Sequence, residues 1–282
     1  MVSFVILHYK NIKDTLECIE SILKLETNKK KSIIVVDNNT LTEQDEKLLV
    51  KHPIHLIKLQ ENLGFAKANN IGCKYAIEHD KPDFLVVSNN DIIIEQKDFI
   101  EKIYDEEAFD LLGPKIKTNG GQSVNPFPVY KTKEEVINQI NKTKKLIKIY
   151  KNIILRNLLR IYISIKKLIK GEKLVYNGDK KQKGVALHGC FMIFSKHYYE
   201  KYEDIFFNDT FLYHEEEFLY QRIINDNLIS IYDPSLEVFH KEGASLNSKY
   251  KNEYQKLIFK NEEILKSLEL LEKTMNLYES RR

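Results

Sequence analysis

The chain has 282 residues, of which 43% are hydrophobic and 30% charged, enough for one large α/β domain with additions or for two smaller domains. Its three cysteines, Cys18, Cys73 and Cys190, lie far apart without a C-x-x-C pair. This spacing argues against a disulfide framework and a thiolate zinc site, and it favours a reducing cytosol. The N-terminal apolar run is too short for a signal sequence or a membrane span, so we expect a first strand there.

The formal net charge of +3 hides a local concentration of basic residues. Residues 131–173 contain thirteen Lys or Arg and three Glu, a net charge of +10, which leaves about −7 for the rest of the chain. This asymmetry predicts where a charged partner would bind, namely on this segment rather than on the rest of the chain. No RNA- or DNA-binding signature accompanies it, so we expect no nucleic-acid partner.

The first sixty residues have the pattern of a strand, a helix and a parallel strand. Residues 2–7 and 31–37 are apolar runs typical of buried strands, and each ends in polar residues. Between them, apolar residues recur at helical spacing, namely Leu16, Ile19, Ile22 and Leu23. Because such a crossover brings both strand ends to the same edge of the sheet, we expect His8 and Asp37 to lie close together.

A polar loop then leads into the next predicted helix. Residues 42–52 have helical periodicity, and residues 55–59 form a short third strand. The loop that begins at Glu61 passes into a helix that ends near Glu78. Gly64 allows close approach of the backbone, and the helix that follows offers free N–H groups to an anion, which is a weak phosphate signal on its own.

The central strand is predicted at residues 84–94, an apolar β-branched run that breaks at Ser88-Asn89-Asn90-Asp91. Its carboxyl end would deliver Asp91 to the ligand-binding edge of an α/β sheet. A carboxylate there suits a divalent cation that also contacts phosphate. Asn-Asn-Asp is equally typical of a simple turn, so both interpretations stand at this point. A helix at 97–104 and a strand at 111–116 follow.

The basic segment, residues 131–175, is predicted to be an amphipathic helix or hairpin. Its apolar residues step by threes and fours along one face: Ile147, Tyr150, Ile154, Leu158, Ile161, Ile165 and Leu168. That face could dock on the rest of the chain, pair with a second copy as a heptad seam, or lie in the headgroups of an anionic leaflet. A merely solvated basic face is the simplest alternative.

The second half carries an acidic triplet, Glu215–Glu217, behind an aromatic run and at the start of a predicted helix. Glutamates in a first turn favour the helix dipole. A carboxylate within reach of a hydroxyl can also act as a general base. A strand is predicted at 184–194, a closing strand ends near His240, and a long amphipathic helix spans 254–278.

Four motifs of the first 120 residues, in this order, resemble the family 2 glycosyltransferases. They are Val5-Ile-Leu-His-Tyr9, Ile34-Val-Val-Asp-Asn-Asn39, Asn62-Leu-Gly-Phe-Ala-x-x-Asn-Asn-x-Gly72 and Asn89-Asn-Asp91. The resemblance is greatest to bacterial rhamnosyltransferase-like members that build capsule, O-antigen and other surface polysaccharides. It implies the GT-A fold, a Rossmann-like α/β domain with a mostly parallel central sheet flanked by helices.

On this resemblance the GT-A domain covers residues 1–245. Its nucleotide-binding half is about 1–125 and its acceptor half about 176–245. The inserted basic helical segment is 131–175, and 246–282 is a C-terminal helical tail.

The resemblance also implies site residues. The nucleotide-sugar donor would be held by His8, Asp37, Asn62, Gly64, Asn69, Asn89, Asp91 and Gly189. Asp91 and His240 would bind a divalent metal, Mg²⁺ or Mn²⁺. Because Asn89 stands where most relatives have the first acid of Asp-x-Asp, one charge that would balance the metal is missing.

Glu215 and Glu216 match the family's Glu-Asp motif, whose second acid is the base. We therefore predict Glu216 as the catalytic base, with Glu215 orienting it or the acceptor. Phe218 stands where many relatives have a further aspartate.

The predicted activity is that of an inverting hexosyl- or deoxyhexosyl-transferase. It would move a sugar from a nucleotide-diphosphate donor to a surface glycan acceptor, which we expect to be lipid-linked. The expected location is the cytoplasm, with contact between residues 131–173 and the inner face of the membrane. A homo-oligomer, formed through the apolar face of the basic segment, is the other expected partnership. Two alternatives remain: a non-catalytic nucleotide- or glycan-binding relative, and a sugar nucleotidyltransferase, although His8-Tyr9-Lys10-Asn11 lacks the Gly-rich basic loop usual in the latter.

Overall fold

The fold is described from a computed structural model that covers residues 1–121, 123–156, 178–241 and 253–280. Most of the second half of the basic segment lies outside the described residues, as do residues 242–252, which follow the closing strand. The described residues divide into two units: the first comprises 1–129, 178–211 and 215–241, and the second comprises 130–156, 212–214 and 253–280.

The first unit is built on one mixed β-sheet. The described strands are β1 Val2–His8, β2 Lys31–Asp37, β3 His55–Lys58, β4 Phe84–Asn89, β5 Ile92–Ile93, β6 Leu111–Thr118, β7 Gln182–Lys183, β8 Phe191–Ser195 and β9 Ser230–His240. Their order in the sheet is β3-β2-β1-β4-β8-β6-β9-β5, with β7 paired to β9. The long ladders among β3, β2, β1 and β4 and between β6 and β9 are parallel, whereas β8 is antiparallel to both its neighbours.

Helices pack on both faces of this sheet. The described helices of the first unit are α1 Ile12–Leu23, α2 Glu43–Leu49, α3 Ala66–Asp80, α4 Phe99–Asp105, α6 Lys196–Lys201 and α7 Glu215–Asn225; those of the second unit are α5 Lys133–Lys151 and α8 Glu253–Ser280. Among the described helices, none combines the length and apolar character needed to cross a membrane.

The apolar strands are buried on both sides because their side chains alternate between two cores. Val2, Phe4 and Ile6 of β1 belong to one cluster, which α1 and α4 cover. Val5 and Leu7 belong to the other, which α3 and α7 cover. This explains why the strands read as continuous hydrophobic runs, and the predicted α/β sheet is confirmed.

The three cysteines lie inside these cores and are free thiols. Burial raises the pKa of Cys18 to about 12 and raises the pKa of Cys73 as well. Neither thiol therefore has thiolate character near neutral pH.

Two predicted elements have other bounds than the sequence pattern indicated. The strand predicted at 184–194 begins only at Phe191, because Gly184 has a left-handed backbone (φ +66°) and residues 188–190 form a turn. A single helix through the basic segment is also excluded. The α5 helix ends at Lys151, where Asn152 adopts an extended backbone.

In the second unit, α5 and α8 contact each other along their lengths. A capping box starts α5: the side chain of Thr132 accepts a hydrogen bond from Glu135 N, and the Glu135 carboxylate accepts one from Thr132 N. Two ion pairs link the helices, Lys144 to Glu269 (2.8 Å) and Lys151 to Glu262 (2.7 Å). Buried apolar residues come from both helices: Val136, Ile140 and Ile147 of α5, and Leu268, Leu271 and Met275 of α8. The described parts of the inserted segment and of the C-terminal tail thus form one helical unit.

Candidate active site

The tip of β4 brings the predicted metal ligands together. Asp91 lies two residues after the end of β4, and β5 then pairs with the end of β9 so that Ile92 lies opposite His240. The Nε2 of His240 lies 3.2 Å from Asp91 Oδ1. Two residues that are 149 positions apart in sequence thereby form a carboxylate and imidazole pair, the donor set predicted for a divalent cation. Among the described residues, no cluster of three or more His, Cys, Asp or Glu could hold a metal.

Hydrogen bonds from beneath fix the turn that carries Asp91. The Asn90 amide donates to Thr15 Oγ1 (2.9 Å), which is also 2.6 Å from Nδ1 of His8. His8 has no exposed surface, and burial lowers its pKa. The structure thus places the His8 side chain under the turn rather than at the surface. Its predicted contact with the donor remains a prediction.

A lysine closes the same corner. The backbone N–H of Lys241 donates to the Asp91 carbonyl (3.1 Å). Its ammonium lies 3.1 Å from the Asp14 carboxylate and also pairs with Glu17. The end of β9, and with it His240, is therefore tied to the first turns of α1.

A turn at His188–Cys190 joins this corner to the acidic triplet. The Cys190 carbonyl accepts from Asn89 N (2.8 Å), and Gly189 N donates to Glu216 Oε1 (2.9 Å). A Cβ on residue 189 would lie 2.9 Å from that oxygen, so glycine allows the carboxylate to approach. Asn89, Gly189 and Glu216, predicted from three separate motifs, therefore meet at one short turn.

The three glutamates differ in accessibility. Glu215 and Glu217 are 7% and 4% exposed, whereas Glu216 is only partly buried. A base must reach its substrate's proton. Of Glu215 and Glu216, Glu216 is the more accessible carboxylate, and its assignment as the base stays a prediction.

Sequence reasoning did not single out His188. Its backbone N–H donates to the buried side chain of Asn125 (2.7 Å), and its Nδ1 accepts from Cys190 N (3.1 Å). Burial lowers the pKa of His188, and the charges of Glu216 and Asp91 oppose that shift. With Nδ1 acting as acceptor, the neutral ring carries its proton on Nε2. Nothing in the local sequence marks this residue, because its neighbours come from distant segments.

The predicted nucleoside residues form a second group. The Asp37 carboxylate accepts from the backbone N–H groups of Thr40 (2.9 Å) and Leu41 (3.2 Å). Asn38, which follows the last residue of β2, holds the loop after β3. Its side-chain amide donates to the Gly64 carbonyl (2.9 Å), and its side-chain oxygen accepts from Leu63 N (2.9 Å).

Within that loop, Asn62 Oδ1 accepts from Gly64 N (2.9 Å), and Gly64 has φ +81°. Asn69 is different, since it is fully buried and its amide donates to the Phe65 carbonyl (3.0 Å). The Phe65 ring borders Gly189, 3.7 Å from where a Cβ would stand. The loop thus adjoins the turn that holds Glu216.

The architecture defines a class of protein: it is that of a GT-A glycosyltransferase. The profile of the family described as "Glycosyl transferase family 2" matches residues 3–203, and the chain belongs to that family.

One characterised protein is similar in sequence to part of the chain. The dTDP-rhamnosyl transferase RfbF of Shigella flexneri is 34% identical over 85 residues, which are 29% of this chain and 28% of that protein. The chain thus matches only about a quarter of that relative's length.

Two solved structures of S. aureus TarS 1–349 have similar folds at 14% identity. The first aligns with a TM-score of 0.53 over 92% of this chain and 64% of that chain. The other, in complex with UDP, aligns with a TM-score of 0.51 over 90% and 68%. At this identity the likeness supports the fold.

Proposed function

We propose that this chain is an inverting glycosyltransferase that moves a sugar from a pyrimidine nucleotide-diphosphate donor to a hydroxyl of a surface glycan. One observation carries the proposal. The turn at 188–190 makes two hydrogen bonds that join the site. Gly189 N donates to the Glu216 carboxylate, and the Cys190 carbonyl accepts from Asn89 N at the tip of β4, two residues before Asp91. A candidate base and the segment that carries a candidate diphosphate ligand are thereby both hydrogen-bonded to one short turn. The RfbF and TarS matches carry dTDP and UDP in their names, which supports the choice of a pyrimidine donor.

In the proposed reaction, the Glu216 carboxylate removes the proton of the acceptor hydroxyl as its oxygen attacks the anomeric carbon. The bond to the nucleoside diphosphate breaks on the opposite side, so the configuration inverts. His188 Nε2–H is a neutral donor near Glu216 and Asp91. Asp37 and the Asn62–Gly64 loop would hold the nucleoside.

Asp91 and His240 fit a divalent cation such as Mg²⁺ or Mn²⁺ that takes its other ligands from the diphosphate and water. When bound, such a cation would supply positive charge to the leaving diphosphate. The pair of protein donors agrees with this arrangement, because Mg²⁺ sites built on substrate phosphates use few protein ligands.

The test is transfer from a panel of UDP- and dTDP-sugars to glycan and lipid-linked acceptors, with Glu216→Gln as the key variant. We expect at least ~100-fold lower turnover at unchanged donor affinity, the scale of a lost general base. Exposed Glu200→Gln is the matched control. Near-normal turnover by Glu216→Gln would remove its role, and an α-configured product from an α-linked donor would exclude inversion.

We further propose that the acceptor is lipid-linked and that α5 contacts an anionic leaflet at the inner face of the membrane. Lys144 and Lys151 are paired with carboxylates, whereas Lys142, Lys145 and Lys148 are exposed and have no carboxylate partner among the described residues. Each lysine near such a surface contributes about 1 kcal/mol.

Replacing these three exposed lysines by glutamine should therefore weaken binding to phosphatidylserine vesicles by about 100-fold at low salt. The same change at Lys30, Lys51 and Lys74, which are exposed on the first unit, serves as control. Equal vesicle binding by both triple variants would contradict the membrane proposal.

A further inference from the structure

The chain enters its acidic helix through a turn of unfavourable backbone geometry. Tyr213 and His214, the two residues before Glu215, have φ of 74° and 71°. This left-handed region is disfavoured for residues with a side chain, and for a bulky residue such as Tyr213 in particular. Two such residues in succession persist only where their surroundings hold them.

Side chains of the second unit contact this turn. The Oγ of Ser267, on α8, donates to the Leu212 carbonyl (3.1 Å), and Ser267 is only 3% exposed. The ammonium of Lys260 lies 5.7 Å from the Tyr213 ring centre, and the Tyr130 ring lies 6.0 Å from that of His214. Residues 212–214 therefore group with the helical unit, although the chain on both sides of them belongs to the first unit.

Both ends of this turn lead to candidate site residues. Just before it, the Phe211 carbonyl accepts from Phe65 N (2.8 Å), in the loop that we assign to the nucleoside. Just after it, α7 begins at Glu215, and Glu216 is held by Gly189 N. Because two residues separate Leu212 from the first glutamate, a change in the turn's backbone would shift the start of α7.

We propose that Ser267 is a positioning residue: its hydrogen bond to Leu212 keeps the Tyr213–His214 turn left-handed and thereby places the Glu216 carboxylate for proton removal. The helical unit then has a part in turnover, separate from any contact with acceptor or membrane. This inference rests on the proposed catalytic role of Glu216.

Ser267→Ala tests the inference, with Ser280→Ala, near the other end of α8, as the matched control. We expect Ser267→Ala to lower kcat about fivefold to tenfold, while KM for donor and acceptor stays within twofold. Amides of residues 212–216 should exchange with deuterium about fivefold faster, the factor expected for one ordinary hydrogen bond. A role in acceptor binding would instead raise KM.

A second substitution tests the backbone argument itself. Asparagine adopts the left-handed region more readily than tyrosine and lacks the added flexibility of glycine. Tyr213→Asn in the Ser267→Ala background should therefore restore at least half of the lost kcat. A purely structural role for Ser267 would predict that the second change adds to the loss.

Three results would overturn the inference: wild-type kcat in Ser267→Ala, a loss confined to KM, or a double variant as slow as Ser267→Ala. If the unaltered chain transfers no sugar at all, the proposed function fails. The exchange measurement then decides alone, and unchanged exchange at 212–216 in Ser267→Ala would refute the positioning role.

Discussion

Gly189→Ala tests whether the contact with Gly189 sets the position of the Glu216 carboxylate. An added Cβ would lie 2.9 Å from Glu216 Oε1, while carbon and its neighbours pack best at about 3.5–4.0 Å. The carboxylate must therefore withdraw by about half an ångström or more, and its 2.9 Å hydrogen bond from Gly189 N is lost. A hydrogen bond to a charged group is worth about 1.5–3 kcal/mol. At about 1.4 kcal/mol per tenfold change in rate, kcat should fall roughly 10- to 100-fold.

Stability should fall by no more than this one hydrogen bond contributes, about 1.5–3 kcal/mol, because the displaced atom is the end of a flexible side chain and residue 189 does not have a left-handed backbone. Initial rates at varied donor concentration, together with the melting temperature, measure the two effects. Gly120→Ala is the control, since its Cβ would meet nothing closer than 3.7 Å. Wild-type kcat in Gly189→Ala would refute the reasoning, as would a further loss when the change is made in Glu216→Gln, where no base remains to be displaced.

Three other predictions concern the surrounding residues. Gly64→Ala should raise the donor KM at least about tenfold and lower the free energy of unfolding by about 1–3 kcal/mol. The reason is that φ of Gly64 is +81° and an added Cβ would clash with the Phe211 carbonyl. Initial rates and urea titrations measure the two effects, and an unchanged KM would contradict this. Burial lowers the pKa of His8 and His188, so the unfolded chain binds more protons below pH 6.5 and stability should fall there, by up to about 1.4 kcal/mol per histidine and pH unit. His188→Gln should flatten that slope, and an identical slope would refute the assignment. Asp91→Ala should abolish transfer or raise the Mn²⁺ concentration needed for half-maximal rate, which a metal titration checks against the unaltered chain.

The local sequence pattern was sufficient to predict most helices and strands, and also the polar residues at the carboxyl ends of the parallel strands. The runs ending at His8, Asp37 and Asn89 predicted three strands with polar residues at their carboxyl ends, and in the structure these strands are neighbours that pair in parallel. Such predictions succeed because burial on two faces leaves a continuous apolar run, which a single chain displays.

Contacts between distant segments were not predictable in the same way. The 184–194 run has strand composition throughout, yet its first part is irregular, and the turn at 188–190 makes the contacts that join the site. Which glutamate of the triplet is accessible depends on how α7 is rotated against its neighbours. The partner of the amphipathic basic segment was equally open, because periodicity shows that a face is apolar but not what covers it.

The burial of all three cysteines has a practical consequence for following this chain in solution. Cys18, Cys73 and Cys190 are each at most 2% exposed. Maleimide dyes react with accessible thiolates, so the native protein should stay unlabelled without removal of any cysteine. A cysteine introduced at an exposed position, as in E200C, would then carry a single fluorophore, and donor-induced movements could be recorded by fluorescence on an otherwise unmodified chain.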